Sequence, residues 1–286
     1  MEKLPLFDIS RNSFVDGPGI RTTVFFRGCN LRCAWCHNPE SQSGGKHLFF
    51  HESRCLRCGT CAEVCPEQSF ERFGCADPKN CTFCGECADT CPGEALKLCG
   101  TDMTAEELLK RLLRDKAYFD RSGGGVTFSG GECMLYPSLL APLLAKCRAD
   151  GVSTAIDTAG CVPWPSFEQV LPDTDLFLYD VKSMDDEKHR RYTGVGNGLI
   201  LENLRKLFET GARVWVRMPI IPTVNDTDDE ILKLKDFLAP YRPERVELLP
   251  YHRMGEHKYA GLGREAVRFD PPSAETMAHL RALLSE

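Results

Sequence analysis

The chain carries three cysteines on one short loop, Cys29, Cys33 and Cys36, within the stretch RGCNLRCAWCHNPE. Three thiolates at this spacing can hold three corners of a cubic iron–sulfur cluster. The next cysteine, Cys55, lies outside the loop, so one iron would lack a protein ligand and stay open to substrate. Two other interpretations remain at this point: a structural zinc ion with a distant fourth ligand, and three buried thiols.

A second group of cysteines lies between Ser53 and Cys99, in two successive runs of the form C-x2-C-x2-C-x3-C-P. Such runs are typical of bacterial ferredoxins with two [4Fe-4S] clusters, in which the fourth cysteine of each run binds the other cluster. Cys75 and Cys99 lie outside this spacing and are predicted not to be ligands. The predicted ligand sets are Cys55, Cys58, Cys61 and Cys91 for one cluster, and Cys81, Cys84, Cys87 and Cys65 for the other.

The composition narrows the class of protein. The 286 residues carry a formal net charge of −6, which argues against binding to nucleic acid or to an anionic membrane surface. No apolar run approaches the ~20 residues of a membrane span, and the N-terminal stretch lacks the apolar core of a signal peptide. We therefore expect a cytoplasmic protein, in which the clustered cysteines among the 16 serve as metal ligands rather than in disulfides.

Outside the cysteine-rich segment the chain alternates between strands and helices. Helical sequence follows each of the first five predicted strands, and the first helix starts with a capping box of Thr104 and Glu107. The predicted strands are TTVFFR, VTFS, STAID, DLFLYDVK, RVWVRMPI and RVELLPY. The predicted helices are 104–119, 138–150, 166–171, 201–211 and 228–239.

This alternation is typical of right-handed βαβ units around a parallel sheet. Six units are fewer than the eight of a closed barrel. We therefore predict an α/β fold in which residues 1–52 and 100–286 form an open, partial (β/α)6 TIM-like barrel. Residues 53–99 would form a ferredoxin-like domain, inserted between the first strand and the first helix and held folded by its clusters, because so small a segment has little apolar core.

Polar residues collect after the predicted strands, where the active sites of βα barrels are built. Gly130 and Gly131 let the backbone approach a ligand closely, and Glu132 can accept a hydrogen bond from an amine. The alternative for this element is a plain strand-to-helix turn. The other strands are followed or ended by Asp157, Thr158, Asp180, Lys182, Arg217 and His252.

Two of these residues, Asp157 and Asp180, would repel each other at one barrel mouth unless a cation or a basic side chain lies between them. Lys182 is one candidate for such a partner. Arg217 suits a carboxylate ligand or an incoming protein backbone. A lone histidine such as His252 is more often structural than functional. Cys133, Cys147 and Cys161 have no ligand spacing and are expected to act as small apolar residues.

Four stretches together resemble one family. The cysteine loop is typical of radical S-adenosylmethionine (SAM) enzymes, and VDGPGIRT, RSGGGVTFSGGE and HRMGEHKYAGLG resemble those members that activate glycyl radical enzymes. The resemblance extends from Phe14 to about Gly263. It implies that the open iron binds the amino and carboxylate groups of SAM. Reductive cleavage would then give a 5′-deoxyadenosyl radical, which removes a hydrogen atom from a glycine of the partner enzyme.

The resemblance also implies roles for single residues. Trp35 and His252 would lie near the adenine, although Trp35 also suits a hydrophobic cover over the cluster. The GGE element, Gly130 to Glu132, would bind the amino group of SAM, and Lys182 would lie close to SAM. Asp157, Thr158 and Asp180 would form a monovalent-cation site beside the SAM carboxylate.

The resemblance implies three [4Fe-4S] clusters, one for SAM and two that pass electrons inward from a flavodoxin or ferredoxin. The two extra clusters depart from the pyruvate formate-lyase activator and resemble larger activators. We expect a monomer that meets a glycyl radical enzyme as its protein substrate. Two alternatives remain: a radical SAM enzyme that modifies a small molecule or another protein directly, and an iron–sulfur electron carrier. A glycine-centred radical in a partner would distinguish the activating enzyme from both.

Overall fold

The computed structural model describes residues 2–72, 74–77 and 79–285, without the side chains of residues 71, 72 and 75. Its strands are β1 (Leu4–Ser13), β2 (Arg21–Phe26), β3 (His47–Phe50), β4 (Phe70–Arg72), β5 (Cys75–Ala76), β6 (Leu96–Cys99), β7 (Thr101–Met103), β8 (Gly125–Gly130), β9 (Ser153–Thr158), β10 (Leu176–Asp180), β11 (Val214–Ile220) and β12 (Arg245–Pro250).

The α-helices are α1 (Thr60–Glu63), α2 (Glu86–Asp89), α3 (Ala105–Leu112), α4 (Lys116–Ser122), α5 (Pro137–Ala149), α6 (Trp164–Val170), α7 (Asp186–Thr193), α8 (Gly198–Glu209), α9 (Asp228–Leu238), α10 (Glu256–Gly261) and α11 (Ala274–Ser285). Short 3-10 turns occupy Pro39–Ser41, Glu52–Arg54, Leu113–Asp115, Cys133–Leu135, Leu171–Asp173 and Arg253–Gly255. Within the described residues no helix is both long and apolar enough to cross a membrane.

The main sheet has eight strands in the order β12-β11-β10-β9-β8-β2-β1-β7. The six strands from β2 and β8 to β12 are parallel neighbours, which confirms the predicted βα alternation and the partial barrel. β1 and β7, which the sequence did not predict as strands, extend the sheet at one edge as antiparallel neighbours. The barrel therefore consists of the six predicted parallel strands, and β1 and β7 add two antiparallel strands beside β2.

The two faces of the strands differ in character, because successive side chains of a strand point to opposite sides. On one face Phe177 and Tyr179 of β10 join the large core that the helices cover. On the other, Leu176 and Leu178 belong to a small apolar layer. Asp180 continues this second face two residues further on, at the end of the strand. The same alternation carries polar side chains to the ends of the neighbouring strands.

The first predicted helix of the barrel is broken in two. Its capping box is confirmed: Thr104 Oγ1 accepts from Glu107 N–H at 3.2 Å, and the Glu107 carboxylate accepts from Thr104 N–H at 2.8 Å. The helix ends at Leu112, because Asp115 is drawn against the sheet. There Asp115 is buried, accepts from Thr22 Oγ1 at 2.9 Å and pairs with Arg11. α7 was not predicted at all.

The cysteine-rich segment repeats its backbone as well as its sequence. α1 and α2 begin after Gly59 and Gly85, which both have left-handed φ angles, of 86° and 95°. β3 and β6 pair antiparallel at the root of the segment, with His47 opposite Cys99. This pairing begins before residue 53, so the root includes residues that the sequence placed with the barrel.

Candidate active site

The cysteine loop starts at the carboxyl end of β2 and is fixed to distant parts of the chain. Gly28 N–H donates to the Ser41 carbonyl at 2.7 Å, which closes the loop on itself. Arg32 N–H and Ala34 N–H donate to the carbonyls of Thr193 and Tyr192, at 2.7 and 2.9 Å. These two acceptors lie at the end of α7, so a helix that the sequence did not predict helps to position the cysteine loop.

The three thiols of this loop are well shielded from solvent. Burial raises the pKa of Cys29 to about 12, with Glu132 adding to the shift, and burial likewise raises the pKa of Cys33 to about 12. Leu31 N–H points at the sulfur of Cys29 at 3.4 Å, a contact of the kind that supports metal-bound thiolates. Iron binding would have to displace the protons that burial retains on these thiols.

The GGE element packs directly on the base of the cysteine loop. A Cβ atom at Gly130 would lie 2.2 Å from the backbone of Phe26, and one at Gly131 would lie 2.2 Å from the Gly28 carbonyl. Gly130 also has a φ of 125°. Glu132 N–H donates to that same Gly28 carbonyl at 2.8 Å. The two glycines are therefore required because their backbone approaches that of Phe26 and Gly28 closely. This contact places the GGE element beside the cysteine loop.

The side chain of Glu132 turns into the protein. Its carboxylate accepts from Thr158 Oγ1 at 2.8 Å and from the N–H groups of Ala159 and Met134, at 3.0 and 3.1 Å. Burial raises the pKa of this carboxyl to about 7, against the effect of these hydrogen bonds. Glu132 thus ties the GGE element to the end of β9. Its carboxylate is directed into the protein, whereas the backbone of the GGE element contacts the cysteine loop.

A compact ion-pair group lies at the ends of β9, β10 and β11. Arg217 pairs with Asp157 and donates from Nε to Asp180 at 2.8 Å, while Lys182 Nζ donates to Asp180 at 2.6 Å. Ser129 Oγ donates to Asp157 at 2.8 Å. The structure therefore brings four of the predicted residues together and supplies the positive charge that the two carboxylates need.

The two aspartates differ in their electrostatic balance. Burial raises the pKa of Asp157 to about 6, although Arg217 opposes the shift. Burial also acts to raise the pKa of Asp180, but Arg217 and Lys182 outweigh it and the net shift is downward. Thr158 does not join them, because its side chain lies on the opposite face of β9 and contacts Glu132. Among the described residues no three His, Cys, Asp or Glu side chains converge as they would on a single ion.

Aromatic and imidazole rings cover the other side of the cysteine loop. Trp35 is buried and packs edge-on against Phe269, with 6.1 Å between ring centroids. His37 stacks on His252 at 4.0 Å, and its Nε2 lies 2.9 Å from the His252 carbonyl. Within the described residues the buried Nδ1 atom of His252 has no hydrogen-bond partner. Both predicted adenine neighbours, Trp35 and His252, thus lie against the loop.

The closing segment, residues 252–264, grips the same loop, which the sequence analysis did not foresee. Tyr259 donates its hydroxyl to the Cys36 carbonyl at 3.1 Å. Lys258 Nζ donates to Asn38 Oδ1 at 2.8 Å and to Glu40 at 2.6 Å. The stretch HRMGEHKYAGLG carried a family resemblance, yet nothing in its letters shows contact with residues more than 200 positions away.

Two further buried polar residues support Lys182 from behind. Asn225 donates from Nδ2 to the Lys182 carbonyl at 2.8 Å and to the Pro219 carbonyl at 2.7 Å. Glu230 accepts from Ser183 Oγ at 2.9 Å and from Met184 N–H at 2.7 Å. Both are fully buried. Neither residue was predicted from the sequence; the available signal was the polar stretch NDTDDE, which begins five positions after the end of the fifth predicted strand.

In the cysteine-rich segment, two cavities match the two predicted ligand sets. One cavity is lined by Cys55, Cys58, Cys61 and Cys91. A second cavity is lined by Cys65, Cys81, Cys84 and Cys87. In each cavity the fourth cysteine comes from the other run. The arrangement fits two [4Fe-4S] clusters with the crosswise ligands of a bacterial ferredoxin.

Backbone N–H groups point at the sulfurs of this segment in the same pattern in both repeats. The first cysteines, Cys55 and Cys81, each accept from the N–H two residues later, at 3.4 Å. The fourth cysteines, Cys65 and Cys91, accept from the N–H four residues later, at 3.4 and 3.3 Å. Such donors stabilise cluster thiolates. Of the remaining cysteines, Cys99, Cys133 and Cys147 are buried and Cys161 is half-buried, whereas the side chain of Cys75 lies outside the described residues.

Comparison with known proteins places the chain in a family. The profile described as the radical SAM superfamily matches residues 74–235, and the 4Fe-4S binding domain matches residues 48–71. The chain is 41% identical to the trans-4-hydroxy-L-proline dehydratase activating enzyme of Clostridioides difficile, over 97% of this chain and 95% of that protein. It is 42% identical to the choline trimethylamine-lyase activating enzyme of Oleidesulfovibrio alaskensis, over 92% of this chain and 88% of that protein.

A solved structure agrees with this at the level of the fold. The crystal structure of a radical SAM methyltransferase from Sphaerobacter thermophilus matches with a TM-score of 0.56 at 16% identity, over 99% of this chain and 70% of that one. The two curated relatives extend the agreement to sequence over nearly the whole chain. The chain belongs to the radical SAM superfamily and, within it, to the glycyl radical enzyme activating enzymes.

Proposed function

We propose that this chain generates the glycyl radical of a partner enzyme by reductive cleavage of SAM. The observation that carries the proposal is the three-cysteine loop, which lies beside the GGE element and lacks a fourth cysteine of its own. When bound, the cluster and SAM together supply a 5′-deoxyadenosyl radical that takes a hydrogen atom from the α-carbon of a glycine. The family membership and the names of the relatives support this reaction.

The residues of the chain would bind and orient SAM. Cys29, Cys33 and Cys36 would hold the cluster, and the backbone at Gly130 and Gly131, which lies against the cysteine loop, would receive the amino group of SAM. The close packing of this element against the cysteine loop supports that assignment. Glu132, whose side chain is directed inward, would act through its charge and through the shape of the turn.

The ion-pair group would orient the carboxylate end of SAM. Lys182 and Arg217 present buried positive charge at the strand ends, balanced by Asp157 and Asp180. A monovalent cation held by Asp157 and Asp180 stays part of the proposal, but Thr158 would not be one of its ligands, because its side chain faces Glu132. In this structure Arg217 already bridges the two aspartates, so a cation would have to share them with the guanidinium. The Nδ1 atom of His252, which has no hydrogen-bond partner among the described residues, and the nearby Trp35 would face the adenine.

The inserted segment, residues 53–99, would carry two auxiliary clusters on the ligand sets named above. With the catalytic cluster this makes three [4Fe-4S] clusters. The two would pass electrons inward from a flavodoxin or ferredoxin, and the protein would work as a cytoplasmic monomer between that donor and a glycyl radical enzyme. The paired cavities and the N–H groups directed at the sulfurs support the two auxiliary sites.

The first test is low-temperature electron paramagnetic resonance (EPR) on anaerobically reconstituted, reduced protein, with and without SAM. We expect about 12 irons per chain, and a SAM-induced change in the signal of one cluster alone. Cys33→Ala should abolish that change. A full iron content with no response to SAM would overturn the proposal in favour of electron carriage.

The second test separates an activating enzyme from a radical SAM enzyme that acts on small molecules. The reduced protein is mixed with SAM and a candidate glycyl radical enzyme, such as a dehydratase or lyase of the kinds named for the relatives. We expect the EPR doublet of a glycine-centred radical in the partner. Cleavage of SAM without a radical in any such candidate would favour the small-molecule enzyme.

A further inference from the structure

Glu40 places a carboxylate inside the turn that follows the catalytic cysteines. It lies in the 3-10 turn Pro39–Ser41, and 8% of its side chain is exposed. In the described part of the chain its Oε2 atom has no hydrogen-bond partner. A buried carboxylate is costly unless a positive group accompanies it. The turn therefore depends on a cation from elsewhere in the fold.

Lys258 of α10 supplies that cation. Its ammonium lies 2.6 Å from Glu40 and 2.8 Å from Asn38 Oδ1, so one side chain binds two residues of the turn after Cys36. Neighbouring contacts hold α10 in place. Tyr259 donates to the Cys36 carbonyl, and Arg264 donates to the Gln42 side chain at 2.9 Å.

On its other side α10 rests against the root of the inserted segment. A Cβ atom at Gly261 would lie 2.3 Å from the ring of Phe49 on β3. Because Phe49 is buried, this close contact leaves α10 little room to move. Lys258 is thus presented to the cluster loop by an element that is packed between the loop and the insert.

We propose that Lys258 is a positioning residue for the catalytic cluster: its ion pair with Glu40 fixes the cluster loop and keeps the charge beside the cluster neutral, which sets the reduction potential of that cluster. The inference rests on the proposed function, since it assumes a cluster on Cys29, Cys33 and Cys36. Reduction adds one negative charge to the cluster, so a nearby positive charge favours the reduced form and a negative charge opposes it.

Two single variants with opposite charge changes test the pairing. Lys258→Met leaves the carboxylate alone, so at a fixed solution potential the ratio of reduced to oxidised catalytic cluster should fall about threefold or more. Glu40→Gln leaves the ammonium alone, and the ratio should rise. The double variant should return close to wild type. The measurement is an EPR-monitored redox titration of the SAM-sensitive signal, with the insert clusters as internal reference.

The matched control is Lys206→Met, which breaks an exposed pair with Glu202 on α8 and should leave the potential unchanged. Shifts of both single variants in the same direction, or no shift in either, would overturn the proposal. If Lys258→Met loses the SAM-sensitive signal, its recovery in the double variant or in Lys258→Arg supports the pairing, and failure of both to recover overturns it. Absence of a SAM-sensitive cluster in the wild type would instead contradict the proposed function.

Discussion

The cysteine loop and the inserted segment hold their cysteines in different ways. The loop is fixed by residues from far along the chain, among them Tyr192, Thr193 and Tyr259. The insert uses its own repeat, in which N–H groups two or four residues away point at the sulfurs. Between residues 53 and 99 the buried apolar side chains that the structure describes are Cys87, Ala95, Leu96 and Cys99.

This difference has an energetic meaning. Two of those four buried side chains are cysteines, so the insert has almost no core that could offset the entropy cost of ordering its backbone. The cysteine loop, by contrast, is stabilised by its contacts with the barrel, whose large core consists of apolar side chains. On the proposed function, the two auxiliary clusters would create the fold of the insert, whereas the barrel would create the site for the catalytic cluster.

The largest expected effect is that of removing all iron, which should unfold the insert and leave the barrel folded. Under anaerobic chelation we expect amide hydrogen exchange in residues 53–99 to approach the rate of an unfolded chain, because the free energy of metal binding is there the free energy of folding. Peptides from β9 to β11 should keep their protection. Mass spectrometry of the exchanged peptides measures both, and retained protection in the insert would contradict the comparison.

Single cysteine variants should affect one region at a time. Cys33→Ala should lower the iron content from about 12 to about 8 per chain and abolish cleavage of SAM, while the insert stays protected. Cys61→Ala should leave the SAM-sensitive EPR signal but unfold the insert locally. Iron analysis, EPR and hydrogen exchange on the two variants check this. Loss of the catalytic signal in Cys61→Ala would show that the two regions fold together.

Arg217→Met should destabilise the barrel without touching the insert. It leaves Asp157 and Asp180 buried beside each other, and breaking a buried pair in this way costs about 3–5 kcal/mol. Urea denaturation followed by tryptophan fluorescence measures the loss. The control Arg213→Met breaks an exposed pair with Glu244 and should cost less than about 1 kcal/mol.

The same variant also tests the cation site. If potassium or sodium ions restore part of the stability of Arg217→Met, the two aspartates can bind a monovalent cation. An equal response of the wild type and the variant to both ions would argue against such a site.

The smallest expected effect is a pH dependence confined to the catalytic region. Because the pKa of Glu132 is raised to about 7, its carboxylate takes up a proton between pH 8 and pH 6 and loses its attraction for the amino group of SAM. The SAM concentration that half-saturates the EPR change should rise up to about tenfold over this range. Glu132→Gln should flatten the profile. An unchanged profile in that variant would assign the effect to another group.

The sequence was most informative where local pattern and fold agree. The period of the strands, the capping box of Thr104 and Glu107 and the duplicated cysteine runs each follow from short-range chemistry, and the structure has all three. α7 was missed because its sequence, DEKHRRYT, is almost entirely polar and buries only His189 and Thr193. The break after Leu112 was missed because its cause, a contact of Asp115 with β1 and β2, is long-range.

The site shows the same limit. Strand ends predicted that Asp157, Asp180, Lys182 and Arg217 would meet, but not that Arg217 would bridge both aspartates. Alternation along β9 could have predicted that Thr158 faces away from Asp157. The pair of Glu40 with Lys258 could not be foreseen, because it depends on where the chain returns after the last strand of the barrel.

The pairing of β3 with β6 brings the two ends of the insert together. His47 and Cys99 are cross-strand neighbours, so the chain leaves the barrel and re-enters it at almost the same place. A segment with adjacent ends can be exchanged for a longer, shorter or differently liganded one without stretching the scaffold that receives it. The same barrel could in this way receive inserts that bind different electron-transfer cofactors, while the position of its radical chemistry stays the same.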